Sequence, residues 1–226
     1  MLITIALTAA MSASVGDIAR KHPALTSTNT PPIAIRVYAA PTISPSLVAG
    51  TLDEASEIWR GLGFSFEWKA GAPTVAPYMQ ATEAGPYVPA TLRVVIGDEA
   101  GVSSDAETPL GWIRFDDVAS PEQEIHVSRA NAMKLLELTS GLRNGRIVTM
   151  PRRQQEDQLS RAMGRALAHE LGHYLLASKK HTRTGLMRGN RTAYEFFIRE
   201  RNHFDLDPEQ RGIVATHLRS AFMASR

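Results

Sequence analysis

One stretch of the sequence, from about 151 to 177, has the pattern of a long helix and constrains both fold and chemistry. Its apolar residues recur at four-residue steps: Leu159, Met163, Leu167 and Leu171. This spacing is typical of a helix face that packs on a core. His169 and His173 stand four apart in the same stretch, so both imidazoles are expected on one face, a single turn apart.

The two histidines are part of a pattern that suits a metal ion. His169, Glu170 and His173 form His-Glu-x-x-His, in which two imidazoles bind zinc and the glutamate contacts a water on the ion. The chain has no cysteine, so any zinc site must be built from His, Asp or Glu. The alternative is a helix with surface histidines that bind nothing.

A third ligand must come from outside the helix, because catalytic zinc keeps three protein ligands and one open position. His181 follows the expected helix end at 177 or 178 and lies in the polar segment SKKHTRT, which suits a turn. Glu195 and His203 are alternatives farther along the chain. His181 is the favoured third ligand.

The first half of the chain has the pattern of a sheet. Alternating apolar residues predict strands at 33–38 and 64–68, and the helical stretch between them opens with Ser44 and Pro45. This order predicts a right-handed crossover between two parallel neighbours. Further strands are expected in TLRVVIGD, LGWIRFDD and EIHVS, the last one shorter. Helices at 130–138 and 207–222 complete an α+β fold.

With Met187 added, the histidine stretch resembles the metzincin clan of zinc endopeptidases, and within it the matrixin-like branch. In that clan a third histidine follows the helix, and a methionine turn forms an apolar floor beneath the zinc. Gly185 permits the tight turn before Met187. The resemblance implies a twisted, mostly parallel five-stranded sheet with a crossover helix, followed by an active-site helix, the methionine turn and a C-terminal helix.

The sequence departs from the clan pattern at two places. Leu176 stands where the clan has glycine, and His181 comes two residues later than the third histidine usually does. A different helix exit is therefore expected. Gly189, two residues after the methionine, excludes the extra tyrosine ligand of the astacin-like branch.

The resemblance also implies a reaction. One catalytic zinc ion on His169, His173 and His181 would activate a water molecule, and Glu170 would act as general base in the hydrolysis of a peptide bond. The alternatives are a catalytically inactive peptide-binding module on the same fold and a zinc hydrolase acting on a smaller amide. The intact Glu170 argues against the inactive module.

Protein or peptide substrates are expected to lie extended along the fourth strand, on Gly111, Trp112 and Ile113. Core packing is the other interpretation of Trp112 and Ile113. The pocket for the residue after the cut is expected to be walled by the segment after Met187, including Tyr194.

Charge and composition exclude other partners. The net charge is +2 and the basic residues are scattered, so nucleic acid is not an expected partner. His126 and His217 lack a partner at metal spacing and are expected to be packed or capped. The basic residues around the site are expected to form a solvated helix face, or else to attract acidic substrates: Arg161, Arg165, Lys179, Lys180, Arg183 and Arg188.

The N-terminus predicts export. Residues 1–13 have the apolar core and small-residue end of a signal peptide, without its basic start. This segment is too short to span a membrane as a helix. Residues 14–32 are expected to be a linker and 33–226 a single catalytic domain, located in the periplasm or secreted.

Overall fold

The computed structural model describes residues 32–71, 92–100, 109–141 and 150–224. The predicted signal peptide, and the linker up to residue 31, lie outside these ranges. The described elements, in chain order, are β1 (Ile33–Ala39), α1 (Pro45–Gly61), β2 (Phe66–Ala70), β3 (Arg93–Gly97), β4 (Gly111–Phe115), β5 (Pro121–Ser128), α2 (Arg129–Gly141), α3 (Arg152–Leu176), α4 (Ala193–Phe197) and α5 (Pro208–Ala224). No helix within these ranges is long and apolar enough to cross a membrane.

The five strands form one mostly parallel sheet, in the order β2-β1-β3-β5-β4. β1 is parallel to β2 and to β3, and β3 is parallel to β5. β4 is antiparallel to β5 because a tight hairpin joins them, closed by the bond from the Asp116 N–H to the Ser120 carbonyl. The predicted α+β architecture and the parallel β1–β2 pair are confirmed, and β4 forms an edge of the sheet.

α1 and α3 cover one face of the sheet. Trp59 of α1 is fully buried there, and its indole N–H donates to the Ala168 carbonyl of α3 at 3.1 Å. The two helices approach closely at Gly164, where an added β-carbon would lie 2.6 Å from that of Glu54. This contact holds α3 against the sheet, with its later turns beside β4 and β5.

On the opposite face of the sheet, an aromatic pair joins the last two strands. Trp112 of β4 stacks on His126 of β5, with ring centroids 5.0 Å apart, and His126 also lies 3.0 Å from a carboxylate oxygen of Glu124. The prediction of a shorter fifth strand is wrong. β5 has eight residues, because Pro121 stands at its first position and is paired with Phe115 in the hairpin.

Two features of the helices were not evident from the sequence. α4 has only five residues, too few for a periodic pattern, but Thr192 and Glu195 form a complete capping box at its start. α3 leaves the helical conformation at Ala177, which has a left-handed backbone (φ 47°, ψ 46°). The chain turns back at this point and brings the next segment over the histidine face of the helix.

Candidate functional site

Three imidazoles meet at the end of α3. The Nε2 atoms of His169 and His173 are 3.0 Å apart, and that of His181 lies 3.3 and 3.2 Å from them. Three nitrogens bound to one tetrahedral zinc at 2.0–2.1 Å would be roughly 3.3 Å apart. The donor set and its spacing therefore fit a zinc ion.

Backbone carbonyls orient the two helical histidines. Nδ1 of His169 lies 2.8 Å from the Leu186 carbonyl oxygen, and Nδ1 of His173 lies 2.6 Å from that of Ser178. A carbonyl can only accept, so each Nδ1 carries the proton and each Nε2 presents a lone pair to the centre of the cluster. Such second contacts are usual around metal-binding histidines.

Burial keeps these two imidazoles neutral. It lowers the pKa of His169 to about 3, with a further contribution from the charge of His173. Burial likewise lowers the pKa of His173 to about 4. Neutral imidazole is the form that binds a metal ion, so the pair is available for binding across the physiological pH range.

His181 reaches the cluster through the turn at Ala177. The Ser178 N–H donates to the His173 carbonyl at 3.1 Å, which closes the end of the helix. Alanine takes the left-handed position that glycine usually fills, one residue after Leu176. This later exit accounts for one of the two residues by which His181 is displaced. The His181 ring lies against Gly189, where an added β-carbon would be 2.9 Å from the ring.

The predicted methionine turn lies below the histidines. Met187 is fully buried, and its sulfur fills the space beside Gly172, the residue just before His173. The turn is closed by the Thr182 N–H, which donates to the Met187 carbonyl at 2.9 Å. Gly185 has φ +78°, a conformation that favours glycine. The segment that carries His181 is therefore held against α3 through the contact of Met187 with Gly172.

Glu170 lies beside the histidines and against the edge strand. Burial raises the pKa of its carboxyl to about 8, and a hydrogen bond with the backbone of Ile113 opposes part of that rise. Gly111 leaves room for the glutamate, since an added β-carbon there would lie 3.2 Å from Glu170 Cγ. A carboxyl with a pKa near neutrality can both take and release a proton at physiological pH.

An elongated cavity of about 950 Å³ runs along β4 and over the histidines. Gly111, Trp112 and Ile113 are among the residues that line it, and their role in substrate binding stays a prediction. Tyr194 points into solvent, with 59% of its surface exposed, and Phe196 of the same helix lines the cavity instead. The ends of the cavity differ: Gly111 packs near Ala166 at one, and Phe115 packs near His173 at the other.

Glu195, one of the two alternative metal ligands, and two of the other histidines have partners elsewhere. Glu195 pairs with Arg188 and caps α4. The ring of His217 bonds to the Leu175 carbonyl at 2.9 Å, and His126 stacks on Trp112. In the described part of the chain, the group of three side chains spaced to hold one metal ion is His169, His173 and His181.

A buried ion network beside the cavity was missed by the sequence analysis. Arg165 was expected on a solvated helix face, but its side chain is fully buried, and its Nε donates to Glu54 at 2.9 Å. Arg201 binds the other oxygen of Glu54 at 2.6 Å. Arg165 and Glu54 are 111 residues apart in sequence, so no local sequence pattern links them.

Arg165 also joins α3 to the chain that follows the methionine turn. It donates to the backbone carbonyls of Glu195 and Glu200, the second at 3.0 Å. Its guanidinium lies 4.9 Å from the ring centroid of Phe204. The segment from 195 to 204 is thus fastened to the helix that carries the histidines.

Comparison with solved structures identifies the architecture. The crystal structure of archaemetzincin from Methanopyrus kandleri is similar to 86% of this chain and 99% of its own, with a TM-score of 0.52 and 13% sequence identity. The chain shares the archaemetzincin fold. No family model and no curated protein matches the chain by sequence. The archaemetzincin likeness confirms the predicted α+β fold class, and the matrixin-like branch stays a prediction.

Proposed function

We propose that the protein is a zinc-dependent endopeptidase. The observation that carries this proposal is the convergence of three Nε2 atoms within 3.3 Å of one another, next to a buried glutamate and an edge strand. The likeness to the archaemetzincin structure supports the proposal, because the name of that neighbour places it among the metzincins. His169, His173 and His181 would hold the ion.

When bound, zinc would supply Lewis-acid polarisation of the substrate carbonyl and a water molecule of lowered pKa. Glu170 would take the proton of the attacking water and deliver it to the leaving amine. Its hydrogen bond with the Ile113 backbone holds the carboxyl between the histidines and β4. The Leu186 and Ser178 carbonyls keep the imidazoles oriented throughout.

β4 supplies the proposed substrate track. It is the last strand of the sheet and pairs with β5 on one side, and no described strand lies on its other side. An extended peptide can add there through main-chain hydrogen bonds, which favour binding whatever its sequence. Gly111 and Ile113 would contact the substrate mainly through their backbone. Trp112 turns its ring to the other face of the sheet, against His126.

Export and hydrolysis have separate support. Export of the protein is supported by the pattern of residues 1–13, which lie outside the described ranges. Hydrolysis, as opposed to peptide binding without turnover, is supported by Glu170, because a module that only binds has no need of a buried proton acceptor beside the metal ligands.

Incubation of the purified protein with an unfolded protein substrate, followed by mass spectrometry of the products, tests the proposal. We expect internal cleavage that stops on zinc chelation and returns when zinc is restored. Cleavage that survives complete removal of zinc would contradict the proposal, as would the absence of cleavage by the zinc-loaded protein.

A further inference from the structure

We propose that the cavity binds an acidic side chain of the substrate at the end near Gly111, here called the Gly111 end. The inference rests on the proposed peptidase function in one respect, namely which residue of the substrate occupies this end. In that function this end receives the residue that follows the cleaved bond, because the segment after Met187 borders it. The charge of the cavity, however, is a property of the structure alone.

Cations outnumber acids along the cavity. The charged residues that line it are Arg114, Glu122, Lys134, Arg165, Glu170, Lys179, Arg188 and Arg191. Among the described residues of the lining, six are basic and two acidic, although the whole chain has a net charge of only +2. Arg165 and Arg188 have counter-ions in Glu54 and Glu195. The described lining still has an excess of cations, and such clefts favour anionic ligands.

The cations are most poorly balanced at the Gly111 end. Glu122 lies at the other end, next to the hairpin pair of Phe115 and Pro121. Lys179 is also at that end, 5.2 Å from the Phe115 ring centroid. At the Gly111 end, the one acid among the described residues that line the cavity is Glu170, beside the histidines. Lys134 of α2 lies there with no carboxylate within 4.0 Å in the described ranges.

Arg165 adds buried positive charge beneath this end. Its side chain is fully inaccessible to solvent, and its counter-ion Glu54 is shared with Arg201. Two guanidinium groups thus compensate their charge on one carboxylate. The side chain of Arg201 is 43% exposed, so Arg165 is the one of the two whose charge is withdrawn from solvent. The field of a buried charge is screened far less than that of a surface charge.

Arg191 is the group best placed to bind the anion. Its Nη2 donates to the backbone carbonyls of Gly185 and His203, the second at 3.1 Å, and its guanidinium lies 4.1 Å from the Phe204 ring centroid. Its Nη1 is buried and has no acceptor among the described residues. Burial of the group lowers its pKa to about 10, and Arg188 contributes further.

A substrate carboxylate would pair with the charge of the Arg191 guanidinium, which lines the cavity. Charge-assisted bonds of this kind are among the strongest hydrogen bonds in proteins. The apolar walls of the same end, formed by Leu135 and Phe196, would contact the methylene groups of a glutamate. A lysine or arginine side chain would be repelled by the cations of the same end.

Peptide binding to the Glu170→Gln protein tests the inference without any requirement for turnover. Three acetylated, amidated Ala-rich hexapeptides would carry Glu, Gln or Lys at one central position. Calorimetry in zinc-containing buffer should give about tenfold tighter binding for the Glu peptide than for the Gln peptide, and the weakest binding for Lys. Equal binding of the Glu and Gln peptides, or no binding of either, would overturn the inference.

Two further substitutions at Arg191 separate charge from structure. Arg191→Gln and Arg191→Lys both remove the Nη2 donor that bonds to the Gly185 and His203 carbonyls, but only the glutamine variant removes the positive charge. We expect the Glu preference to survive in the lysine variant and to disappear in the glutamine variant. Loss of the preference in both, or in neither, would overturn the assignment to Arg191.

Cleavage of the same peptides by the wild-type protein distinguishes this inference from the proposed function. Tighter binding of the Glu peptide without any cleavage would support the acid-binding site and contradict the proposed peptidase function. Cleavage of the Glu and Gln peptides at equal kcat/KM would support the peptidase function and overturn the proposed preference for an acidic residue.

Discussion

The sulfur of Met187 occupies the space beside Gly172 in which any other residue would place its β-carbon. Gly172 lies in α3 between the two helical histidines, so the methionine floor and the ligand-bearing helix interlock at one atom. This contact explains why a glycine is found where helix propensity would favour alanine. It also makes the site sensitive to the addition of one methyl group.

Gly172→Ala should therefore destabilise the protein, although alanine is the better helix former. Overpacking of a buried contact costs about 1–3 kcal/mol, which thermal denaturation would detect as a lower Tm. Gly212→Ala is the matched control, because it lies in α5 with nothing within 4 Å of an added β-carbon. It should gain about 0.5–1 kcal/mol. Equal effects of the two substitutions would contradict the interlock.

Gly189→Ala should weaken zinc binding with little loss of stability. The added β-carbon would lie 2.9 Å from the His181 ring, and this exposed ring would move out of the cluster to avoid it. We expect about a tenfold loss of zinc affinity, as measured by competition with a chelator. Asn190→Ala, at the exposed neighbouring position, should leave the affinity unchanged. Unaltered zinc binding in Gly189→Ala would argue that His181 is not a ligand.

The buried ion network should contribute far more to stability than an exposed ion pair on the same helix. Glu54→Gln would leave Arg165 buried without a counter-ion, at a cost of about 3–5 kcal/mol. Glu57→Gln removes an exposed partner of Arg60 and should cost less than about 1 kcal/mol. Urea unfolding of the two variants checks the contrast. Similar free energies of unfolding would show that the Glu54–Arg165 pair is not a buried ion pair in solution.

The raised pKa of Glu170 makes a prediction for the metal-free protein. The folded state keeps the proton up to a pKa of about 8, whereas the unfolded state releases it near 4.5. Between these values the folded state binds more protons, so this residue's contribution to stability is full below 4.5 and is lost as the pH rises through 8. The Glu170→Gln variant does not lose stability in this way, because glutamine does not titrate.

The free energy of unfolding of Glu170→Gln, relative to wild type, should thus increase from about pH 5 to pH 8 when both proteins are free of metal. The lowered pKa values of His169 and His173 act in the opposite direction, since their stabilising effect is gained as the pH rises towards 6.5. Both proteins contain these two histidines, so their contribution cancels in the difference between the two free energies of unfolding. A difference that does not change with pH would contradict the burial of Glu170.

The local parts of this molecule were predictable from sequence because they depend on spacing. The His169–His173 pair and the helix around it follow from residues within one or two turns of each other. The turn at Met187 was expected from Gly185 and from the resemblance to metzincins. The limits of β1, α1 and α5 could also be approximated, since Ser44, Pro45 and Pro208 mark helix starts.

The parts that could not be predicted depend on contacts between distant segments. The burial of Arg165 requires Glu54, which is distant in sequence and looks like any surface glutamate of an amphipathic helix. The approach of His181 depends on a left-handed conformation at Ala177, which alanine seldom adopts and which no motif indicates. The cationic Gly111 end similarly combines residues from α2, α3 and the segment after Met187.

Zinc content and proteolysis, measured together for the wild-type protein and Glu170→Gln, test the central claim most directly. We predict about one zinc ion in each protein, cleavage of an unfolded protein by the wild type, and no cleavage by the variant. Zinc in neither protein would contradict the assignment of His169, His173 and His181, and equal cleavage by both would contradict the role of Glu170.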